Sequence, residues 1–430
     1  MKAAFLQADL EEKIYMSSPP GYGGTIDGED TVLELSRAVY GLKQGSAVFH
    51  TAVDDHLKCK GFVPVMGDPC LYRRVQSDGH MMIVCVYVDD IAYGVANDAT
   101  ADAFMSEMRE RFTIDEGEGK PIDYLLGIAV DQDLLAGITR LTMSAAIAKL
   151  AEGVLTKEEL AKASRVDTPM LASGLLKQTE RTVSKEEFDY LSVVGSLLHI
   201  SNCVRCDVAL AVGILARHAA CPGPAHVRAC KRVLMYLSNT RNLGITYRRS
   251  SGVAPNVPAM YEAGRHPLDD GSNHLGVFCD SDYAADETKR STMGIVIMMN
   301  GGPIAWSSVL GKTVATSTCE AEVNAAVSGV KDAVHLQRML FDLGLAPENK
   351  TIIVHEDNSA AISQAKAGLR AIRNAKHYHV KLAWLQQLVN DKHVKFQYCP
   401  TNDMLADFYT KPLDVDKFIR FRDAIMGVQL

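Results

Sequence analysis

The pattern of apolar and polar positions is most informative between Met81 and Val95. An apolar, β-branched run of strand length leads to Asp89 and Asp90, and a second apolar run follows at once. Two apolar segments joined by a short polar step are typical of a β-hairpin. The pattern therefore predicts a hairpin of two buried strands with both aspartates at its tip.

The surrounding pattern predicts further elements in the first 140 residues. Residues 2–6 are interpreted as the end of a strand, and residues 47–58 and 99–112 carry apolar positions at helical spacing. Further strands are expected from Asp68 and over residues 122–130. Together with the hairpin, these segments give a β-α-β-β-α-β order.

From about Ser144 to Leu243 the apolar periodicity becomes helical, over residues 188–203, 208–219 and 226–237. On the last of these helices Arg228, Lys231 and Arg232 follow at i, i+3 and i+4, so they share one face. Such a face is usually just solvated, and contact with phosphate groups is the functional alternative. Residues 248–273, rich in Gly, Pro, Ser and Asn, predict a linker.

Beyond this linker, predicted strands and helices alternate. The strands are expected over residues 275–280, 291–299, 302–308, 351–355 and 394–398. The helices are expected over residues 318–343, in a short segment after 358, and around 376–389. Strands alternating with helices favour a mixed sheet with helices on its faces, which makes the chain an α/β protein.

Composition limits the class of protein. The chain has 430 residues, enough for two or three domains, and is 47% hydrophobic and 23% charged. No apolar run approaches the ~20 residues of a membrane span, and the N-terminus lacks the apolar region of a signal peptide. Ten scattered cysteines favour free thiols in a reducing, intracellular compartment. The net charge of −7 argues against attraction of nucleic acid to the whole protein surface. It does not exclude a local row of basic residues that contacts the nucleic acid backbone.

The paired carboxylates of Asp89 and Asp90 are the first candidate for chemistry. Carboxylates beside buried strands are costly unless a cation or hydrogen bonds satisfy them. A simpler interpretation of adjacent aspartates is an ordinary solvated turn.

Four acidic residues in the C-terminal part fall at the ends of predicted elements: Asp280, Glu322, Asp357 and Asp407. Two magnesium ions ~3.5–4 Å apart, held by carboxylates, can stabilise both the attacking and the leaving oxygen of a phosphodiester displacement. Several carboxylates cannot remain ionised close together without cations. Unrelated surface acids are the alternative interpretation of this set.

The residues around these acids resemble a known family. Tyr-Val-Asp-Asp at 87–90 is similar to the catalytic tip of reverse transcriptases, and residues 40–44, 68–72 and 194–197 resemble the reverse transcriptase of copia-type LTR retrotransposons. Residues 279–286, 290–294, 304–308, 317–323, 357–362, 376–377 and 406–413 resemble the ribonuclease H domain of the same polyprotein. The resemblance implies an α+β polymerase palm and helical thumb, followed by a ribonuclease H-like mixed-sheet α/β domain.

The resemblance also implies roles for individual residues. Asp89 and Asp90 would bind the polymerase metals, Gln44 would face the incoming nucleotide, and Phe5 would be the aromatic gate. The nuclease ligands would be Asp280, Glu322, Asp357 and Asp407, with two Mg²⁺ ions per active site, or Mn²⁺ in their place. The partners would be a nucleic acid template and an RNA–DNA hybrid, with no membrane.

Cations near the C-terminal helix would follow the hybrid backbone: Arg370, Arg373, Lys376 and Lys381. His377 would assist product release or proton traffic, with phosphate contact or simple packing as equal alternatives.

Departures from the family pattern qualify these roles. In this family the gate aromatic lies five residues after the first catalytic aspartate. Counting five residues back from Phe5 gives position zero, which is before Met1. We therefore expect that aspartate to be missing through N-terminal truncation, and polymerase activity to be lost. Ser46, Ala47 and Phe49 replace the family's Pro, Arg and Trp after Gln44. His379 replaces an expected aspartate.

Three readings of the chain follow. The first is a ribonuclease H-type endonuclease that cuts the RNA of RNA–DNA hybrids, and the second is an inactive nucleic-acid-binding remnant. A third, weaker reading is an active polymerase in which another acid replaces the missing one. The predicted division is a truncated palm at 1–140, a helical thumb or connection at 141–247, the linker at 248–273, a ribonuclease H-like domain at 274–413 and a tail at 414–430.

Overall fold

The computed structural model describes residues 3–19, 21, 25–26, 29–30, 32–114, 119–171, 176, 181–249, 273–367 and 378–428. The chain divides into two compact units. The first contains Met1–Ile122 and Met339–Gly344, and the second contains Asp123–Arg338 and Leu345–Leu430. The predicted five-part division of the chain stays a prediction.

The first unit is built on a four-stranded antiparallel sheet, in which the four strands between residues 63 and 94 pair in chain order. Its described strands and helices are β1 (Asp9–Ser17), β2 (Thr25–Ile26), β3 (Glu29–Asp30), β4 (Val32–Arg37), α1 (Gly45–Cys59), β5 (Val63–Val65), β6 (Asp68–Val75), β7 (Met81–Tyr87), β8 (Asp90–Gly94) and α2 (Asp98–Arg109). Separate two-stranded sheets are formed by β1 with β4 and by β2 with β3.

The core of the first unit lies on one face of that sheet. Phe49 of α1 and Phe104 of α2 are buried in one cluster with Met82, Val84 and Val86 of β7. The intervening residues Cys85 and Tyr87 are exposed. The prediction that both strands of the hairpin are buried was therefore wrong. Side chains alternate along a strand and only one face of β7 is covered, and no residue of β8 is fully buried.

Two local predictions in the first 140 residues were wrong. Residues 3–6 do not end a strand, since Ala4–Gln7 form a 3₁₀ helix after Ala3, whose φ is 48°; Lys2 lies outside the described residues. Residues 122–130 do not form one strand, because Leu126 and Gly127 adopt positive φ values of 52° and 86° and turn the chain. The two short strands on either side of this turn belong to a sheet of the second unit.

The second unit contains a four-stranded sheet, a group of helices and a five-stranded mixed sheet. Its first elements are β9 (Tyr124–Leu125), β10 (Ile128–Asp133), β11 (Ile138–Thr142), α3 (Ser144–Val154), α4 (Lys157–Lys162), α5 (Tyr190–Cys203), α6 (Ala209–Arg217), α7 (Pro224–Asn239) and β12 (Ile245–Arg248). The later ones are β13 (Gly276–Asp282), β14 (Thr292–Met299), β15 (Gly302–Leu310), α8 (Thr318–Asp342), β16 (Ile352–Glu356), α9 (Ser359–Ala367), α10 (His379–Asn390), β17 (Val394–Tyr398) and α11 (Val415–Met426). The end of α8, from Met339, is assigned to the first unit.

Local chemistry explains where several of these helices begin. Thr156 and Glu159 form a reciprocal capping box at α4, and Asp414 caps α11 by accepting a hydrogen bond from the Lys417 backbone N–H. Pro224 opens α7, where a missing N–H has no cost. The residues expected to be a C-terminal tail include α11, whose Phe421 is fully buried.

The mixed sheet confirms the predicted α/β class. Its strand order is β15-β14-β13-β16-β17. The pairs β15–β14 and β14–β13 are antiparallel, while β13–β16 and β16–β17 are parallel. The parallel pairing brings the carboxyl ends of β13 and β16 to one edge of the sheet. Within the described part of the chain, none of the helices is long and apolar enough to cross a bilayer.

Candidate metal centre

Three carboxylates meet at the edge where β13 and β16 end. Asp280 is on β13, Asp357 directly follows β16, and Glu322 is in the second turn of α8. One oxygen from each lies within 4.8 Å of the others. The structure thus brings together three of the four predicted nuclease ligands, from three elements that are distant in sequence.

Two threonine hydroxyls orient these carboxylates. Thr410 Oγ1 donates a hydrogen bond to Asp280 Oδ2 at 2.5 Å, and Thr401 Oγ1 donates to Asp357 Oδ2 at 2.9 Å. Both threonines come from the segment that follows β17. The backbone after the last strand therefore fixes two of the three acids.

Burial makes the centre electrostatically strained. Asp280 and Glu322 are only 4% and 7% exposed. Burial raises the pKa of Asp280 to about 6, and the charge of Asp407 adds to this effect. Burial, followed by the charge of Glu356, raises the pKa of Glu322 well above its usual range. A bound cation would favour the ionised form of each group.

The donor set suits a hard divalent cation. All three candidate ligands offer carboxylate oxygens, which Mg²⁺ and Mn²⁺ prefer. Glu322 Oε2 is buried and has no hydrogen-bond partner among the described residues. A buried oxygen without a donor is costly in the folded protein, so this atom fits a position facing a metal ion.

The fourth predicted ligand, Asp407, is held differently. Its side chain is fully buried, with Lys411 Nζ at 2.6 Å from Oδ1 and Lys417 Nζ at 2.8 Å from Oδ2. It does not belong to the three-residue group found among the described residues. Its role as a metal ligand stays a prediction.

Sequence reasoning missed Glu356 as part of this centre. It is the last residue of β16 and is fully buried; its Oε1 accepts a hydrogen bond from the Asn358 backbone N–H at 3.1 Å. Its Oε2 has no partner in the part of the chain that the structure describes. Burial and the charge of Asp357 raise its pKa, against the effect of the Asn358 hydrogen bond. The available sequence signal was an acidic residue between the strand predicted over residues 351–355 and the candidate ligand Asp357.

The hairpin prediction is confirmed at its tip. Tyr87 pairs with Asp90 across β7 and β8, so Val88 and Asp89 form the turn. Val88 has a φ of 54°, a conformation that β-branched residues rarely adopt and that costs roughly 1–3 kcal/mol. Asp90 is exposed and Asp89 is half-buried, which removes the argument that their burial requires a cation.

The two predicted nucleotide-binding residues lie near each other in the first unit. Phe5 stacks edge-on against Tyr40 and Phe49, with ring centroids 4.7 and 6.2 Å away. Gln44 is the residue before α1, and a Cβ built on its neighbour Gly45 would lie 3.9 Å from Phe5 Cγ. Their binding roles stay predictions.

The predicted cationic residues have different surroundings. Arg228 is exposed, whereas Lys231 Nζ lies 2.9 Å from Glu159 Oε1 and Arg232 donates to Thr168 Oγ1 at 3.2 Å. Lys381 is exposed and donates to Asn324 Oδ1 at 2.7 Å, two residues beyond Glu322 on α8. The other four predicted cationic positions, Arg370, Arg373, Lys376 and His377, lie outside the described residues.

Comparison with known proteins gives matches along most of the chain. Residues 1–172 match the family described as "Reverse transcriptase (RNA-dependent DNA polymerase)". The chain is 31% identical over 306 residues to a putative transposon Ty5-1 protein of Saccharomyces cerevisiae, covering 71% of this chain and 90% of that protein. It is 30% identical over 427 residues to a retrovirus-related Pol polyprotein from transposon TNT 1-94 of Nicotiana tabacum. That match covers 97% of this chain but spans only 30% of the tobacco polyprotein.

Solved structures give weaker likenesses. A foamy viral protease-reverse transcriptase in complex with double-stranded DNA is 15% identical, with a TM-score of 0.45, 92% of this chain covered and 58% of that chain. LC11-RNase H1, isolated from compost, is 18% identical, with a TM-score of 0.26, 32% of this chain covered and 93% of that chain. Both TM-scores are below 0.5, so no functional conclusion follows from these likenesses.

Proposed function

The chain belongs to the copia-type retrotransposon polyproteins, and from this premise we propose that it hydrolyses the RNA strand of RNA–DNA hybrids at Asp280, Glu322 and Asp357. The observation that carries the proposal is the grouping of three carboxylate oxygens within 4.8 Å. Ionised carboxylates this close together are unfavourable without a cation, and phosphodiester hydrolysis is a reaction that such a cation assists.

Asp280, Glu322 and Asp357 would hold the divalent cation, either Mg²⁺ or Mn²⁺. When bound, such an ion polarises a phosphoryl oxygen and lowers the pKa of a water molecule. The new bond would join the water oxygen to phosphorus, and the bond from phosphorus to the leaving ribose oxygen would break. The attacking water would lose a proton to solvent, and the leaving ribose oxygen would take up a proton from solvent to become a hydroxyl group.

The protein groups around the centre have supporting roles in this proposal. Thr410 and Thr401 keep Asp280 and Asp357 in fixed rotamers through their hydrogen bonds. Asp280 and Glu322 are buried, whereas Asp357 is partly exposed. The scissile phosphate would therefore approach from the side of Asp357, with Lys381 available to contact the hybrid backbone.

We include in the proposal that the Asp89–Asp90 pair does not support DNA synthesis by itself. Two carboxylates on one turn offer fewer oxygen ligands than two magnesium ions require. Among the described residues, the group of three possible ligands lies at Asp280 and not at this hairpin. Polymerase chemistry at the hairpin would need a further acid.

The proposal is tested by incubating the full chain with a labelled RNA–DNA hybrid and MgCl₂. We expect hybrid cleavage. Asp280→Asn should lower the cleavage rate by at least roughly 100-fold, because losing a residue that only contacts a metal ligand can already cost that much activity. Asp391→Asn is the matched control, because it removes an exposed carboxylate at the end of α10 and should leave the rate unchanged. Hybrid binding with no cleavage would contradict the proposal and favour a non-catalytic nucleic-acid-binding remnant.

A further inference from the structure

We propose that the ammonium group of Lys411 takes the position of a second divalent ion between Asp280 and Asp407. The centre would then bind a single ion at Asp280, Glu322 and Asp357. This inference rests on the proposed function, since it concerns the ion content of the same centre. It differs from the two-ion site that the family resemblance implies.

The position of Lys411 is the first observation behind this inference. Lys411 Nζ lies 2.6 Å from Asp407 Oδ1 and 4.0 Å from Asp280 Oδ2. Asp280 is also a member of the three-carboxylate group. In centres with two metals, the ions lie roughly 3.5–4 Å apart and share carboxylates between them. An ammonium group bridging Asp280 and Asp407 therefore supplies positive charge where the second ion would otherwise bind.

The second observation is that both oxygens of Asp407 already pair with ammonium groups. Lys411 pairs with Oδ1, Lys417 pairs with Oδ2 at 2.8 Å, and the carboxylate is fully buried. A divalent ion bound to Asp407 would have to displace one of these ammonium groups or lie beside both, against their positive charge. Displacement would also remove compensating charge from a fully buried carboxylate.

The local chain geometry keeps Lys411 in place. Asp407 belongs to the 3₁₀ segment Leu405–Tyr409, and the backbone N–H of Lys411 donates to the Asp407 carbonyl oxygen at 3.3 Å. The preceding residue, Thr410, donates its hydroxyl hydrogen to Asp280 Oδ2. Consecutive residues thus contact the two acids, which ties the ammonium group to the metal centre through a short, ordered segment.

A fixed ammonium group has consequences that a second ion would not have. A covalently attached charge cannot dissociate with the product and does not depend on the Mg²⁺ concentration. It is also preorganised to stabilise negative charge that develops on phosphate oxygens near Asp280. Lys411 would thus supply a permanent positive charge to the centre, while Asp280, Glu322 and Asp357 hold the single ion.

The test counts Mn²⁺ ions bound to the metal-free full chain by isothermal titration calorimetry, with Mn²⁺ alone as the probe. We expect wild type to bind one ion. Lys411→Met should gain a second Mn²⁺ site, with an affinity about 10- to 100-fold higher than that of any second site in wild type. Lys411→Arg keeps the charge and should still bind one ion.

Lys417→Met is the matched control, because it removes the other ammonium group from Asp407 and leaves the bridge to Asp280 in place. It should bind one ion. Folding of every variant is checked by its thermal midpoint in EDTA. If Lys411→Met does not fold, Lys411→Gln removes the same charge with a polar side chain, and the wild-type ion count remains decisive by itself.

The outcomes separate this inference from the proposed function. Two ions of comparable affinity in wild type would overturn the role of Lys411 but leave metal-assisted hydrolysis intact. No bound ion in wild type would overturn both. One ion in wild type that is lost in Asp280→Asn, with a second ion gained in Lys411→Met, is the result that the inference requires.

Discussion

At the scale of single residues, the centre consists of acidic groups whose burial favours their protonated form. Asp280, Glu322 and Glu356 all have a raised pKa, and in each case burial is the largest cause. Glu356 lies directly before Asp357 and is the strongest charged neighbour of Glu322. The metal-free fold is therefore destabilised wherever the pH forces these groups to ionise.

The sign of the resulting pH dependence follows from linkage. A carboxyl group with a raised pKa in the folded state stabilises that state fully below its unfolded pKa, which is 4.5 for glutamate. This contribution is lost as the pH rises toward the folded pKa. Glu356→Gln should therefore become more stable relative to wild type between pH 4.5 and pH 8, by more than about 1.4 kcal/mol, the equivalent of one pKa unit.

Urea unfolding in EDTA at both pH values measures this difference. Glu348→Gln is the control, because Glu348 is exposed and its replacement should give the same stability change at each pH. A Glu356→Gln effect that does not vary with pH would contradict this prediction, because it would show that the pKa of Glu356 is the same in the folded and unfolded states.

At the scale of elements, close packing of α8 on β13 determines where Glu322 lies relative to Asp280. Gly329 makes this approach possible, because a Cβ added there would lie 2.7 Å from Cys279 Sγ and 3.1 Å from Val277 Cγ1. Cys279 directly precedes Asp280 on β13. Packing therefore requires a glycine at this position in the middle of α8, although alanine has the higher helix propensity.

Gly329→Ala should destabilise the protein by about 1–3 kcal/mol, the usual cost of overpacking a core. It should also weaken Mn²⁺ binding, because α8 carries Glu322. Gly195→Ala in α5 is the matched control: it is also inside a helix, but nothing lies within 4 Å of its added Cβ. Chemical denaturation should show Gly195→Ala to be neutral or more stable by up to about 1 kcal/mol. Equal effects of the two changes would contradict the packing explanation.

At the scale of the whole molecule, the second unit joins the helical segment and the mixed sheet in one hydrophobic core. Leu197 and Val212 of α5 and α6 are buried in the same cluster as Phe278 and Val296 of the sheet. Trp306 Nε1 also donates to the Ser201 carbonyl oxygen at 3.0 Å. This shared core indicates that the sheet depends on the helices for burial of its apolar face.

A further prediction follows for fragments of the chain. Residues 274–428 alone should expose the apolar surface that the helices cover, and should therefore melt at a lower temperature and aggregate more readily than residues 123–428. Thermal melts and light scattering on the two purified fragments compare them directly. Equal melting temperatures would support the predicted independent domain at 274–413.

Much of the fold and of the candidate site was predictable because its determinants are local. Period-two and period-3.6 patterns identified most of the strands and helices, and the hairpin tip at Asp89 and Asp90 followed from two apolar runs around a short polar step. The wrong predictions were also local. At Ala3, and again at Leu126 and Gly127, positive φ values turn the chain where apolar composition alone suggested a strand.

By itself, the sequence determined the α/β class, the family, and the acidic residues at the ends of elements. Only the tertiary structure decided how those acids are arranged. It grouped Asp280, Glu322 and Asp357, paired Asp407 with two lysines, and buried Glu356 beside them. The physical reason is that periodicity reports which face of an element is apolar, whereas the charge next to a carboxylate depends on which distant elements pack together. Lys411 is four residues from Asp407, but its distance from Asp280 is decided only by folding.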